Sequence, residues 1–306
     1  MSYREEAVAF MCEGESLVGI LSSPQSGCAR DCHVLPSTAA SIGVVIIVGG
    51  PQYRAGSHRQ FTLLARALAE AGYPTLRFDY RGMGDSTGAQ RTFDAVHDDV
   101  SAAIGALVRH QPTVGRVILW GLCDGASAAL LYLHATRDAR VSGLALLNPW
   151  VRTEAGLARV HLKHYYLHRL FEREFWNKAL RGQVAGKAVS DLWRNLKGSS
   201  LGAKWNGSCA TKPDLAPYQQ RMADVADRFG GPLLLVTSGN DLTAKEFIEY
   251  MRRDVRWQRV MARSECVRVE IEGADHTFSS RVSSENLMRE VVRWIMDMGG
   301  TSVGNR

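Results

Sequence analysis

The stretch Val117-Ile118-Leu119-Trp120-Gly121-Leu122-Cys123-Asp124-Gly125-Ala126-Ser127-Ala128-Ala129 decides the fold. Its first half is an apolar run of the kind that lies buried on both faces within a parallel sheet. Its last residues are small, so a helix built from them can pack close against that sheet. Between the two lies a five-residue turn of the form G-x-C-x-G. A side chain that must project above a sheet from a strand-to-helix turn sits on strained backbone, and glycine on either side avoids Cβ clashes with the neighbouring strand and helix. A cysteine at the centre suits nucleophilic chemistry. The N–H groups and dipole of the following helix favour the thiolate. The alternative is a buried structural cysteine, because free cysteine is among the most buried residue types.

Outward from this turn the chain alternates. Glu6 to Met11 and Leu17 to Leu21 alternate like strands about Glu13-Gly14-Glu15, which predicts an opening hairpin. Residues 22–41 read as a loop. Gly43 to Val48 is a β-branched run suited to a central strand, and Phe61, Leu64, Ala65 and Leu68 recur at helical spacing up to a stop at Gly72. Pro74 to Phe78 is a strand, Asp79 to Ser86 a glycine-rich turn, Val96 to Val108 a helix and Val114 to Trp120 the strand before the cysteine. Val141 to Leu147 is a further strand. After a long stretch with helical patterns only, Pro232 to Thr237, Ala244 to Val260, Val267 to Ile271 and Glu285 to Met298 read as strand, helix, strand and helix. Repeated strand–helix alternation predicts an α/β fold with a mostly parallel central sheet and helices on both faces. Residues 1–149 and 218–306 form the core, and residues 150–217 form a helical lid insertion.

Two further residues fall at the ends of predicted strands. The 232–237 strand runs into Ser238-Gly239-Asn240-Asp241, and the 267–271 strand into Glu272-Gly273-Ala274-Asp275-His276. The order is nucleophile, acid, base: Cys123, Asp241, His276. Parallel strands bring such loops to one edge of a sheet. His276 would take the thiol proton and later activate water, and Asp241 would orient the imidazole. Asp241 could instead cap the helix that begins beyond it. Asp275, the immediate neighbour of His276, would point elsewhere. An oxyanion needs two backbone donors. Asp124, after the cysteine, supplies one. The loop Gly49-Gly50-Pro51-Gln52 supplies the other, and since Pro51 has no N–H the donor is Gly50 or Gln52, with Gly50 favoured. Gln52 is also a candidate substrate-binding residue.

The chain has 306 residues, a net charge of +6 and six cysteines without regular spacing, which suits a reducing cytosol better than a disulfide framework. The longest apolar run, Ile42 to Val48, is too short to cross a bilayer. Met1-Ser2-Tyr3-Arg4-Glu5-Glu6 opens without a signal-peptide core. The expected location is cytoplasmic.

The whole pattern resembles the α/β-hydrolase superfamily. More narrowly, Gly49-Gly50-Pro51-Gln52-Tyr53-Arg54, Ser57-His58-Arg59-Gln60-Phe61, Phe78-Asp79-Tyr80-Arg81-Gly82-Met83-Gly84-Asp85-Ser86 and Gly121-Leu122-Cys123-Asp124-Gly125-Ala126-Ser127 resemble the type 1 hydrolases associated with the bacterial exosortase A system. The resemblance implies an α/β-hydrolase fold and a bacterial protein encoded near exopolysaccharide and protein-sorting genes, with acyl-carrier and ligase partners. It implies no particular substrate. Cysteine in place of serine also resembles the dienelactone hydrolases with their Cys-Asp-His triad, although the helical insertion departs from their compact form.

The insertion concentrates the charge. Residues 151–215 carry twelve basic side chains against five acidic ones, interleaved with Tyr165, Phe171, Trp176, Trp193 and Trp205. A basic, aromatic lid over an acyl-transfer site points to an acidic partner, such as coenzyme A or an acyl carrier protein bearing a thioester. A solvated amphipathic helix is the plainer alternative. Nucleic acid is not an expected partner, because no nucleic-acid module appears and the charge is confined to the insertion. His161, His164 and His168 share a helical spacing, and Cys28, Cys32 and His33 lie close together, but neither set has the ligands to complete a metal site. No cofactor is expected. The leading expectation is hydrolysis of an ester or thioester through an acyl-enzyme. Acyl transfer to another acceptor, and binding without catalysis on a hydrolase scaffold, are the alternatives.

Overall fold

A computed structural model describes residues 3–25, 41–50, 52–152 and 216–300. Strands β1 (Tyr3–Cys12) and β2 (Glu15–Pro24) form the opening hairpin. Glu13 and Gly14 turn it with φ of 50° and 81°, the pair of positive values that a two-residue hairpin turn requires. Then come β3 (Ser41–Ile47), β4 (Thr75–Phe78), β5 (Val114–Leu122), β6 (Val141–Leu147), β7 (Leu233–Ser238) and β8 (Cys266–Ile271). The eight strands lie in the order β1-β2-β4-β3-β5-β6-β7-β8. Pairing is parallel from β4 across to β8, and the hairpin joins β4 antiparallel through β2. This is the expected α/β-hydrolase fold.

The helices that connect these strands are α1 (Gln60–Glu70), α2 (His97–His110), α3 (Asp124–Thr136), α4 (Tyr218–Arg228), α5 (Leu242–Arg253) and α6 (Val255–Met261), and α7 (Arg281–Gly300) follows β8. The β-branched run of β3 is central because both of its faces are covered: Val44, Val45, Ile46 and Ile47 have no exposed surface. Burying each such side chain is worth about 1.5–3 kcal/mol. From β3 the chain first steps outward to β4, then crosses back to β5 on the other side. Ligands of open parallel sheets bind beyond the strand ends where the winding direction changes. Here that place brings together the loop after β3 and the turn after β5.

Three elements differ from the sequence expectation. The helix expected over 244–260 is two helices, α5 and α6, broken at Asp254. That residue is extended (φ −95°, ψ 118°), and its carboxylate accepts the Arg256 N–H, a local bond that competes with helix continuation. Helix α7 starts at Arg281 rather than Glu285, because the Ser280 hydroxyl caps it by accepting the Ser283 N–H at 3.1 Å. Helix α4, not read in the sequence, covers Tyr218–Arg228. The expected lid lies outside the described residues apart from its ends, as do Cys28, Cys32, His33, His161, His164 and His168. Among the described residues no helix is long and apolar enough to cross a membrane.

The turn after β4 is fixed by two buried carboxylates. Asp79 accepts the Arg54 N–H at 2.6 Å and the Asp85 N–H at 3.1 Å, and it pairs with the Arg54 guanidinium. This ties the β4 turn to the loop after β3. Asp99 of α2 accepts Arg81 Nε at 2.9 Å, Arg81 Nη2 at 3.0 Å and the Arg81 backbone N–H at 3.0 Å. Both members of this pair are buried. Asp99→Ala strands a buried guanidinium, and a loss of about 3–5 kcal/mol is expected in denaturant unfolding, read as a lowered midpoint at unchanged slope. A shift within about 0.5 kcal/mol, the range of ordinary surface substitutions, would show that the pair does not hold the turn.

Candidate active site

The turn after β5 carries the strain that its sequence implied. Cys123 has φ 59° and ψ −124°, a region costly for any residue with a Cβ. Close packing of the chain on both sides leaves no alternative path. A Cβ on Gly121 would stand 2.5 Å from the Gly125 carbonyl, and a Cβ on Gly125 would stand 2.5 Å from the Ile47 carbonyl oxygen of β3. Backbone bonds hold the bend. The Cys123 N–H donates to Leu147 O at 2.8 Å, and its carbonyl accepts from Ala126, Ser127 and Trp150. Ala126, Ser127, Ala128 and Ala129 of α3 are all buried against the sheet. The cysteine itself is half-buried and free.

Asp241 follows β7 and does both things that its position allowed. It caps α5, accepting the Thr243 N–H at 3.2 Å and the Ala244 N–H at 3.0 Å. Its Oδ2 also lies 2.8 Å from His276 Nδ1, in the loop after β8. Burial pushes this carboxyl up, but the bond to His276, that cation's charge and the two helix N–H groups outweigh it and hold the acid below its ordinary range. His276 is pushed up to about 10, by its bond to Asp241 first and its bond to Cys123 second, against the opposing effect of burial. Both neighbours, the Asp241 carboxylate and Cys123, favour the protonated imidazole. Asp275 turns away and accepts from the backbone N–H and hydroxyl of Ser279.

One residue of this site has no signature in the sequence. Asn148, just past β6, is fully buried with φ 43°, a conformation that asparagine tolerates better than most residues. Its Nδ2 donates to Ser238 Oγ at 2.8 Å and to the His276 carbonyl at 3.2 Å, while its Oδ1 accepts the Ser238 N–H at 2.9 Å. It thus joins the end of β7, which carries Asp241, to the backbone of His276. Asn-Pro after a strand reads only as a turn, and nothing local shows what the side chain meets.

In the loop after β3 the donor favoured for the oxyanion has a partner of its own. Gly50 has φ 62°, and its N–H does not point into open space: it donates to Asp124 Oδ1 at 2.5 Å. The backbone group favoured to face an oxyanion thus meets a side-chain carboxylate. The Gln52 side chain accepts the Ser57 N–H at 3.0 Å and closes its own loop. Among the described residues no group of three or more His, Cys, Asp and Glu could hold a metal ion.

Residues 39–246 match the family described as serine aminopeptidase, S33. The chain belongs to this family. The S33 match includes Cys123 and Asp241 and stops short of His276. Solved structures show the same architecture. The Pyrococcus furiosus esterase Pf2001 aligns at TM-score 0.59 and 15% identity over 97% of this chain and 91% of its own. Est1E from Butyrivibrio proteoclasticus, solved with ferulic acid bound, aligns at 0.58 and 17% over 95% and 98%. A dienelactone hydrolase from Anabaena variabilis aligns at 0.57 and 14% over 97% and 99%. At these identities the likeness is one of fold. No curated protein matches the chain.

Because the folded-state pKa of His276 lies above its ordinary 6.5, the stability it contributes is complete below 6.5 and is lost as pH rises through about 10. In histidine-labelled protein followed by NMR, His276 is expected to stay protonated across pH 5–9, and Asp241→Asn is expected to bring its midpoint down. A wild-type midpoint near 6.5 would contradict the bonded cation.

Proposed function

We propose that this protein is a hydrolase that cleaves carboxylic esters or thioesters with Cys123 as nucleophile, His276 as acid and base, and Asp241 as its orienting carboxylate. The observation that carries the reading is the 2.8 Å bond from His276 to Asp241 beside a cysteine on a strained elbow. With Nδ1 committed to Asp241, the other ring nitrogen serves the sulfur.

The steps follow from these positions. Cys123 Sγ attacks the acyl carbon as its proton resides on His276, and the carbonyl oxygen becomes an oxyanion between the Asp124 and Gly50 N–H groups. The bond to the leaving group then breaks, and His276 returns its proton to the departing alcohol or thiol. An acyl thioester remains on Cys123. Water attacks it as His276 takes a proton, and the sulfur leaves with a carboxylic acid as product. Asp241 stays ionised and stabilises the imidazolium throughout.

The substrate class rests on two supports. Of the three similar structures, one is named an esterase, one a dienelactone hydrolase, and one was solved with ferulic acid bound. The basic, aromatic composition of residues 150–217 suits an acidic carrier, so a thioester on coenzyme A or an acyl carrier protein is the preferred substrate form. The sequence resemblance adds the exosortase-associated setting.

The test is hydrolysis of p-nitrophenyl esters and acyl thioesters by wild type and Cys123→Ala. Loss of about a thousandfold or more in kcat/KM is expected for the variant, along with an acyl adduct on intact wild-type protein by mass spectrometry. Equal rates in both proteins would exclude the cysteine mechanism.

A further inference from the structure

A cavity lies at the opposite edge of the sheet from Cys123. Helix α3 begins at Asp124, beside the cysteine, and its 13 residues, about 20 Å of helix, end at the cavity. The volume is about 470 Å³, within the range of sites that hold small molecules. Its walls come from the end of α3, the start of β6 and the end of α4. Leu133, Val141, Val225 and Phe229 make them largely apolar. Cys123, Asp241 and His276 follow the carboxyl ends of their strands, whereas Val141 is the amino end of β6. The cavity is therefore separate from the candidate active site.

Its polar part is cationic. Arg137 and Arg228 line it, with His134 beside them on α3. Neither arginine side chain makes a hydrogen bond or an ion pair among the described residues. The one carboxylate in the lining, Asp138, is already engaged: it accepts Arg140 Nε at 2.9 Å, Arg140 Nη2 at 2.6 Å and the Tyr132 hydroxyl at 2.5 Å. Two helices end here, and free carbonyls at a helix C-terminus repel an anion. These carbonyls have partners. At the end of α4, Arg263 donates to Ala226 O at 3.2 Å and to Phe229 O at 3.0 Å. At the end of α3, the Arg137 N–H bonds Leu133 O at 3.0 Å and the Thr136 hydroxyl bonds Tyr132 O at 2.8 Å.

The space is also left open where a side chain would fit. Gly230 lines it, a Cβ there would meet no atom within 4 Å, and the residue does not have a positive φ. Neither crowding nor backbone conformation requires glycine. A larger apolar residue would gain buried surface at this position.

We propose that this cavity binds a small carboxylate with an apolar chain: the carboxylate pairs with Arg137 and Arg228, and the chain lies against Leu133, Val141, Val225 and Phe229. Guanidinium groups take carboxylates through paired, charge-assisted N–H bonds. A cationic head group would meet two like charges, and a neutral alcohol would leave both arginines without a counter-ion. The site goes beyond the hydrolase reading and holds whether or not Cys123 is a nucleophile.

The experiment titrates hexanoate, hexan-1-ol and hexylammonium into methyl-labelled full-length protein and follows the NMR signals. Hexanoate is expected to shift the methyl groups of Leu133, Val141 and Val225 saturably, with an affinity about tenfold or more above those of the alcohol and the ammonium. Arg137→Asn combined with Arg228→Gln is expected to weaken hexanoate by about tenfold or more at unchanged Tm. Arg228 is exposed, and asparagine tolerates the φ of 50° at residue 137, so the pair of changes spares the fold. Gly230→Leu keeps both arginines and is expected to weaken hexanoate by occupying its space, while Cys123→Ala binds as wild type does. Hexanoate that shifts none of these methyl groups, an alcohol or ammonium that binds as tightly, an affinity unchanged in the double variant or in Gly230→Leu, or binding lost in Cys123→Ala overturns the proposal.

Discussion

Gly125 lies so close to β3 that a methyl group on it would stand 2.5 Å from the Ile47 carbonyl oxygen. This backbone approach is the constraint on which the rest of the site depends. It presses the start of α3 against the neighbouring strand, and the chain between β5 and α3 must then bend through the strained conformation of Cys123. The same approach places the first residue of α3 against the loop after β3, so that Asp124 and Gly50 can meet at all. Strain of about 1–3 kcal/mol at Cys123 is carried by four backbone bonds to its N–H and carbonyl.

Around this elbow the polar groups are economical. Asp241 serves both as the cap of a helix and as the partner of His276, so its orientation is fixed by α5 before any imidazole is present. Asn148 binds the backbone of the base loop to the end of the acid strand. The β4 turn is locked by the Arg81–Asp99 and Arg54–Asp79 pairs, and Tyr80 within it is buried. Each catalytic candidate thus stands on a loop whose geometry is set by a second, buried polar residue, as a preorganised site requires.

Much of this was legible in the chain. The strands were readable because buried parallel strands are unbroken apolar runs, and the positions of Asp241 and His276 at one edge because they follow such runs directly. Asp241 left two readings open, cap or partner of the histidine; it caps α5 and also lies 2.8 Å from His276 Nδ1. The misreadings have local causes. The apolar period of residues 244–260 continues across Asp254, so periodicity alone could not reveal that its carboxylate would bond the chain ahead and end the helix. Helix α4 is short and strongly polar, and it lies between two prolines, Pro217 and Pro232. Ser280 shows itself as a cap only once the helix that it starts is in place.

By itself the sequence determined the alternation of strands and helices, the glycine-flanked cysteine turn and the placement of Cys123, Asp241 and His276 just beyond three strands. Each of these depends on side-chain types at short, regular spacing, which local backbone physics translates directly into structure. Only the tertiary structure decided where Asp124 directs its carboxylate, what Asn148 holds and that the Tyr80 hydroxyl has nothing to bond. Those outcomes depend on how closely segments 70 to 130 residues apart approach one another, and that distance is set by the packing of the sheet rather than by any residue's own preference.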